Sequence, residues 1–392
     1  MTEKIGIRAI EPLSDQFLAL GSYGQGLLLF DRERKKITQT IQPRLGWTPS
    51  ISDNALDGLY MDPERNLWVS DWEYGLNFFN INKPKIRRIM LGDFCKSDRP
   101  IRSTATKIRA ITEDHQGRVW VATRRSGVFL CAGKEPTSIA RYEAGLPENQ
   151  ILGLFCDQQG VVWVAADEGI FYLEPGSKRF QKVPGPLTLH HDCTWQQTSD
   201  GQILLAGDGF YSIKKTSDKG YIVEKRALHP VLDTVFCPYF YRDQAGTFYC
   251  NINYAATVVL HPDGRFDTLP FSNLRGCWET PDGKTIWLAT TYGLAKLDKK
   301  TLTHTLYDES NGLSNQYLYG VLPDAAGFLW LPSKKGILRF DPNLGVAHRF
   351  TAADGVWEDA FVATGVLRTA SGELWMSNSE VINIFRPADI RF

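Results

Sequence analysis

A unit of strand, turn and strand recurs along the whole chain, and this recurrence limits the fold more than any other feature. The clearest copy runs over residues 108–128. Its apolar, alternating start at residues 108–111 is typical of a buried strand. Residues 114–117, Asp-His-Gln-Gly, indicate a tight turn, and residues 119–122 the returning strand. Repeats of this length and content predict a propeller or a solenoid.

Nine copies can be counted, and the first, within residues 7–30, is degenerate. The other eight share an anchor position, occupied in turn by Trp68, Trp120, Trp163, Leu204, Tyr249, Trp287, Trp330 and Trp375. Successive anchors are 52, 43, 41, 45, 38, 43 and 45 residues apart. These steps suit a four-stranded antiparallel blade, whereas ankyrin, tetratricopeptide and leucine-rich repeats need shorter periods.

The sequence therefore predicts an all-β fold, a β-propeller of nine four-stranded antiparallel blades closed into one ring. Eight blades, or a seven-bladed ring with two additional blades, are the alternatives. We expect one domain over residues 1–392, with an extended loop between blades near Cys95 to Thr106. The blades are expected at approximately residues 5–45, 55–92, 106–142, 149–184, 191–226, 233–269, 274–307, 316–351 and 360–392.

Composition limits the partners of the protein. Basic and acidic residues number 44 each, so the net charge indicates no binding to nucleic acid. No apolar run approaches the length needed to span a bilayer, so we expect no direct membrane insertion by this chain. The first residues lack an apolar signal segment, which suits either a cytoplasmic protein or a mature or excised domain.

The cysteines predict reduced thiols and no disulfide framework. There are seven, an odd number, without a Cys-x-x-Cys pair, and most lie in apolar runs. We expect Cys237 and Cys250 to be near neighbours across one hairpin.

The recurring Asp and Trp have a structural interpretation. Asp in these turns caps backbone N–H groups, and Gly supplies a left-handed conformation. The carboxylates of separate blades would lie too far apart to bind one metal ion, so we expect no metal and no cofactor. The anchor aromatics should fill the space between neighbouring sheets.

The repeat resembles the two-component regulator propeller repeat. An apolar strand ending in Asp, a Gly turn, then Leu-Trp-Val-Ala-Thr and Gly-Leu is similar to the pattern of that family, and residues 144–151 and 311–317 resemble its connector between blades. Leu204, Tyr249 and residues 64–66 depart from the pattern. The resemblance implies a periplasmic or extracytoplasmic sensor of a bacterial hybrid two-component system, with oligosaccharide as ligand. It also implies a homodimer formed through a full-length receptor.

One face of the propeller should carry the ligand site. We expect the turns between second and third strands and the connectors between blades to share this face, where loops on a rigid scaffold concentrate binding residues. Aromatic rings beside amides and charged groups suit a sugar or another small molecule. The candidate ligand-binding residues are Trp72, Glu73, Tyr74, Arg124, Arg125, Asp167, Glu168, His190, His191, Asn253, Tyr254, Tyr292, Lys334, Lys335 and Trp357. Of these, Arg124 and Arg125 are favoured, because they follow the repeat without contributing to it.

The leading hypothesis is a non-enzymatic sensor propeller. The first alternative is a propeller enzyme acting on carbohydrate, of lyase or hydrolase type, for which His190 and His191 are a candidate pair. The sequence has no Gly-x-Ser-x-Gly, His-Glu-x-x-His or phosphate-loop motif, so no catalytic residue is assigned. The second alternative is a protein-interaction scaffold. It is disfavoured because the Gly-His and Trp-Asp signature of WD repeats is missing.

Overall fold

The fold is all-β and is built from nine antiparallel sheets, as the repeat count predicts. The structure is a computed structural model that describes residues 5–43, 47–48, 51–80, 86–91, 107–132, 138–147, 150–198, 200–216, 220–357, 361–378 and 380–390. The chain separates into two compact units, residues 1–93 with 388–392, and residues 94–387. The expectation of one domain over residues 1–392 stays a prediction. The insertion near residues 95–106 lies outside the described residues.

The first unit contains two sheets whose strands follow chain order. The first sheet is β1 (Ile7–Pro12), β2 (Phe17–Ser22), β3 (Leu27–Asp31) and β4 (Lys36–Ile41), and after β5 (Trp47–Thr48) the second is β6 (Leu56–Met61), β7 (Asn66–Asp71) and β8 (Leu76–Asn80). The short strand β9 (Arg87–Met90) pairs with β5. Leu27, Leu56 and Val69 form part of the core of this unit.

The second unit contains seven sheets, again with strands in chain order. Their strands are β10 (Ile108–Glu113), β11 (Val119–Thr123), β12 (Val128–Ala132), β13 (Ser138–Tyr142); β14 (Ile151–Cys156), β15 (Val162–Ala166), β16 (Gly169–Leu173), β17 (Gln181–Lys182); β18 (Thr194–Gln197), β19 (Ile203–Gly207), β20 (Gly209–Lys215), β21 (Tyr221–Lys225); β22 (Tyr239–Arg242), β23 (Phe248–Ile252), β24 (Ala256–Leu260), β25 (Phe266–Leu269); β26 (Gly276–Glu279), β27 (Thr285–Thr290), β28 (Gly293–Asp298), β29 (His304–Tyr307); β30 (Leu322–Pro323), β31 (Leu329–Ser333), β32 (Gly336–Asp341), β33 (Val346–Phe350); and β34 (Phe361–Arg368), β35 (Leu374–Asn378), β36 (Val381–Phe385).

These seven sheets are the blades of a closed ring. The first strands β10, β14, β18, β22, β26, β30 and β34 surround one central cavity, and β10 packs directly against β34. At this closure Glu113 Oε2 accepts a hydrogen bond from the backbone N–H of Ala370 at 2.7 Å. The count of nine blades is confirmed. The ring itself closes with seven of these blades, because β34 packs against β10. This arrangement corresponds to the predicted alternative of a seven-bladed ring with two additional blades.

The core lies between neighbouring blades. Trp163 of β15 packs with Trp195 and Tyr221 of the next blade, at ring-centre distances of 6.4 and 4.7 Å. Trp330 of β31 lies 4.8 Å from Phe385 of β36 in the same manner. The anchor aromatics therefore join adjacent sheets, as their place in the repeat predicts.

The repeated Asp also binds the anchor Trp. Asp114 Oδ1 accepts hydrogen bonds from the backbone N–H groups of Gln116 and Arg118, and its Oδ2 accepts one from Trp120 Nε1 at 2.8 Å. The same bond between an Asp and a Trp six residues later joins Asp62 to Trp68, Asp157 to Trp163 and Asp324 to Trp330. Turn and strand are thus held together inside each of these blades.

Where Tyr249 replaces Trp, a lysine from the next blade takes over the contact. Lys299 Nζ lies 2.8 Å from Asp243 Oδ2 and also pairs with Glu279. The lysine side chain is 11% exposed and Asp243 is fully buried. Burial lowers the pKa of Lys299, but the two carboxylates outweigh it and the net shift is upward. This departure from the repeat is therefore compensated by an ion pair between blades.

The helical segments of the described chain are short 3-10 turns, at Leu232–Thr234, Ala352–Asp354 and Pro387–Asp389. None of the helices in the described residues has the length and apolar character needed to span a membrane. The six described cysteines are free thiols. Cys237 and Cys250 share one core cluster, and burial together with the neighbouring Cys237 thiol raises the pKa of Cys250.

Candidate functional site

One face of the seven-bladed ring carries both the turns between second and third strands and the connectors between blades, and we name it the connector face. Backbone hydrogen bonds join the two kinds of loop. Arg124 N–H donates to Lys107 O, Asn253 N–H to Phe236 O, and Lys334 N–H to Tyr317 O. Because each of these bonds links a turn to a connector, the predicted sharing of one face is found in the ring.

Bulges at the start of the first strands aim side chains at this face. In β10 the register shifts between Ile108 and Ala110, so Arg109 is the additional residue. In the fifth blade of the ring, Arg275 N–H donates to Ala289 O although Gly276 is already opposite Ala289. A bulge of this kind re-aims the side chain of the additional residue. Arg109 and Arg275 therefore hold equivalent positions around the mouth of the central channel.

Arg275 lies against two tyrosines of the next connector. Its guanidinium carbon is 5.4 Å from the ring centres of both Tyr317 and Tyr319, and its Nη2 donates to Tyr317 Oη at 3.2 Å. The two rings are 5.2 Å apart. Lys334 Nζ lies 6.0 Å from the ring centre of Tyr317. The predicted residue Lys334 is thus brought close to a cationic and aromatic group at the mouth.

The charge of Arg109 is neutralised by Asp192, in the connector before the third blade of the ring. Its Nη1 donates to Asp192 Oδ1 at 2.9 Å, which joins the first blade of the ring to the connector before the third. Burial raises the pKa of Tyr254, and the charge of Asp192 adds to this, while Arg275 and Arg109 act in the opposite direction. All four groups therefore share one electrostatic environment at the channel mouth.

Three rings, those of His191, Phe236 and Tyr254, form a row at the mouth of the channel. His191 is 4.2 Å from Phe236, and Phe236 is 5.4 Å from Tyr254, measured between ring centres. Asp208 holds one end of the row, since its Oδ1 is 2.5 Å from His191 Nδ1 and its Oδ2 accepts from His190 N–H. Asn253 holds the other end through a hydrogen bond between its Oδ1 and Phe236 N–H. The predicted residues His190, His191, Asn253 and Tyr254 are brought together here.

The channel below the mouth encloses a cavity of about 280 Å³. Its wall includes Arg275, Thr194, Trp195 and Tyr239 among apolar neighbours. Trp195 Nε1 is buried and has no hydrogen-bond partner in the part of the chain that the structure describes. Gly153 makes room for this indole, since a Cβ there would lie 2.8 Å from Trp195 Nε1. The cavity thus combines apolar walls with hydrogen-bond donors.

The other predicted residues lie elsewhere, and their roles in binding stay predictions. Arg124 donates from Nε to Gln150 Oε1 at 2.8 Å, so it binds a connector of its own face. Arg125, Glu168 and Lys335 are exposed, Tyr292 is half-exposed, Asp167 is partly buried, and the Trp357 backbone is bonded to Asn383. Trp72, Glu73 and Tyr74 are exposed in the first unit, between β7 and β8. The connector residues 148, 149 and 358 lie outside the described residues.

Sequence reasoning missed Arg109, Arg275, Phe236 and Tyr319. The sequence contains a signal for Arg109, because this residue interrupts an otherwise apolar strand start in the tetrapeptide Ile-Arg-Ala-Ile. The same tetrapeptide occurs at residues 7–10. A charged side chain at the second position of an innermost strand is expected to point toward the channel mouth. The candidates predicted from the sequence lie in turns and connectors instead.

Comparison with known proteins supports the propeller fold. The sequence model of the two-component regulator propeller family matches residues 103–125 and 145–168. No curated protein sequence matches significantly.

Among solved structures, the chain is similar to the extracellular domain of a protein from B. thetaiotaomicron described as a hybrid two-component system. The identity is 18% and the TM-score 0.75, over 97% of this chain and 51% of that one. It is also similar to the extracellular domain of a protein from the same organism described as a one-component system, at 14% identity and a TM-score of 0.62, over 98% of this chain and 53% of that one. The chain thus spans about half the length of both.

A third similar structure is a catalytically inactive virginiamycin B lyase from Staphylococcus aureus with quinupristin. The identity is 13% and the TM-score 0.56, over 76% of this chain and 98% of that one. The family match and the shared fold confirm the resemblance seen in the sequence: this chain is a β-propeller in which residues 103–125 and 145–168 match the two-component regulator propeller repeat.

Proposed function

We propose that this chain is a non-enzymatic, ligand-binding sensor propeller, the input part of a bacterial two-component signalling protein, and that it recognises an oligosaccharide at the connector face. The observation that carries the proposal is the concentration of rings and polar groups around one channel mouth. His191, Phe236 and Tyr254 form a row there, and Tyr317 and Tyr319 lie beside Arg275.

This combination suits a sugar. The apolar face of a pyranose stacks on an aromatic ring, while its hydroxyl groups need neighbouring donors and acceptors. Tyr254 is 42% exposed and supplies a ring face. Asn253, Asp192 and the tyrosine hydroxyls supply polar partners within the same mouth.

The comparisons support the setting of this function. Two of the similar folds are described as extracellular domains, so we place this chain in the periplasm or outside the cytoplasm. A closed ring has little freedom to deform, and a ligand shifts a protein only through its different affinity for two arrangements. We therefore expect the signal to pass through the arrangement of a homodimer of the full-length receptor.

Calorimetric titration with a panel of neutral and acidic oligosaccharides tests the proposal. At least one should bind, and Tyr254→Ala should weaken that binding by about fivefold or more, since a stacked ring contributes on the order of 1 kcal/mol. The control is Leu344→Ala, which changes a side chain that is 73% exposed between β32 and β33. Absence of binding across the whole panel would contradict the proposal.

The enzyme alternative has one observation in its favour, the pairing of His191 with Asp208 at 2.5 Å. Such a pair can hold a histidine in the orientation needed for proton transfer. If it acts as a base, chromatography of the titrated oligosaccharides should show shortened or unsaturated products. Their loss in His191→Ala would transfer the assignment from sensor to lyase or hydrolase.

A further inference from the structure

Arg275 has no acidic partner among the described residues, whereas several other cations of the ring do. Arg109 pairs with Asp192, Arg118 with Asp114, and Lys299 with Asp243 and Glu279. In the described part of the chain, no carboxylate lies within ion-pair distance of Arg275. Its Nε is buried and has no hydrogen-bond partner among these residues. A partly buried charge of this kind is costly unless something neutralises it.

The position of Arg275 is fixed by the fold. The bulge at the start of β26 aims the side chain, Tyr317 and Tyr319 support the plane of the guanidinium, and Tyr317 Oη accepts from Nη2. Lys334 places a second positive charge near the ring of Tyr317. It too has no ion pair with a described residue. The stacking leaves the remaining N–H groups of the guanidinium fork for a ligand.

The cavity beside Arg275 is lined mostly by apolar residues. Trp195 lines the cavity and is 9% exposed, and its buried indole N–H lies against Gly153. At about 280 Å³ the cavity lies at the small end of ligand pockets, so it suits one sugar ring and not several. The N–H groups of Arg275 that have no acceptor suit a ligand that brings acceptor oxygens.

We propose that the channel mouth binds the carboxylate of an acidic sugar residue on Arg275. This inference rests on the proposed function and narrows its ligand to oligosaccharides with a uronate residue. A planar carboxylate matches the guanidinium fork with two parallel hydrogen bonds, whereas a neutral sugar leaves the charge of Arg275 uncompensated.

Matched ligands test the inference on the full chain. Calorimetry compares a trimer of galacturonate, its methyl ester and a neutral galactose trimer, and inorganic sulfate serves as a free anion. The acid should bind at least about tenfold more tightly than the ester, and added salt should weaken it. Arg275→Gln should remove the preference for the acid over the ester, while Arg275→Lys should retain part of that preference. The control is Arg349→Gln, which changes an exposed arginine of β33.

The outcomes separate this inference from the function on which it rests. Equal binding of acid, ester and neutral trimer would overturn the carboxylate assignment and leave an oligosaccharide sensor. Binding of sulfate that competes with the acid and disappears in Arg275→Gln would support the anion site, whereas sulfate binding without any binding of the sugars would overturn the acidic sugar. If the wider panel also fails to bind, both proposals fall.

Discussion

The carboxylate of Asp114 accepts four hydrogen bonds, two from backbone N–H groups, one from Arg118 Nε and one from the indole of Trp120. The sequence predicts the backbone bonds, because Asp at this turn position has few other uses. It does not reveal the indole bond in a single copy. The constant spacing of six residues between Asp and Trp in four repeats is the signal that would have disclosed it.

The acid sensitivity of folding should depend in part on this residue. Burial raises the pKa of Asp114, but the hydrogen bonds from Trp120 and Arg118 outweigh it, and the net shift is downward. Below its unfolded pKa, the folded protein therefore binds fewer protons than the unfolded chain. The contribution of Asp114 to stability is complete above that unfolded pKa and is lost as the pH falls below it and through the lower pKa of the folded state.

Thermal unfolding of wild type and Asp114→Asn over this range measures the effect. The variant should be less stable at neutral pH and should lose less stability on acidification than the wild type. Asp263→Asn, in an exposed turn, is the control. Identical slopes for wild type and Asp114→Asn would show that the carboxylate is not held in its charged form by the fold.

At the scale of elements, the approach of neighbouring first strands depends on glycine. A Cβ on Gly276 would lie 2.7 Å from the Cα of Gly320 in the next blade, and a Cβ on Gly320 would lie 2.9 Å from Val366 in the blade after that. Both distances are too short for carbon atoms in contact. The inner strands can therefore come this close only because these positions lack a side chain.

Gly276→Ala should therefore destabilise the ring by about 1–3 kcal/mol, since the contact is with backbone that cannot move aside. Gly220→Ala is the matched control, because among the described residues its added Cβ would meet only the Thr216 hydroxyl, at 3.4 Å. Urea unfolding followed by tryptophan fluorescence gives the two midpoints. Equal midpoints would mean that the inner strands can separate without cost.

The elements were predictable from the sequence and the mouth of the channel was not. Repeated turn residues such as Asp114 and Gly117, with anchors at a constant place, predict each hairpin locally. Ring closure depends on contacts between residues more than 250 positions apart, as for Glu113 and Ala370, and no local pattern encodes them. Arg275 could not be predicted as a binding residue for the same reason, because its role depends on the residues that surround it in the fold and not on its residue type.

At the scale of the whole molecule, a closed ring differs from an open stack of repeats because its first and last blades support each other. In an open array each repeat contacts only its neighbours, so the terminal repeats open independently. In the ring, β10 packs against β34, and Glu113 Oε2 binds the Ala370 N–H. Local opening where β10 meets β34 should therefore expose backbone amides of both blades to hydrogen exchange.

Glu113→Ala tests this coupling, since it removes the acceptor of the closure bond and should cost about 1 kcal/mol. Native-state hydrogen exchange should become faster in β10 and β34 together, while β22 and β23 in the fourth blade of the ring keep their protection. Glu224→Ala is the control, because Glu224 pairs with Lys214 while both side chains remain exposed, and such pairs contribute little. Faster exchange confined to β10 would mean that the two blades open separately and that the ring is not held as one cooperative unit at this point.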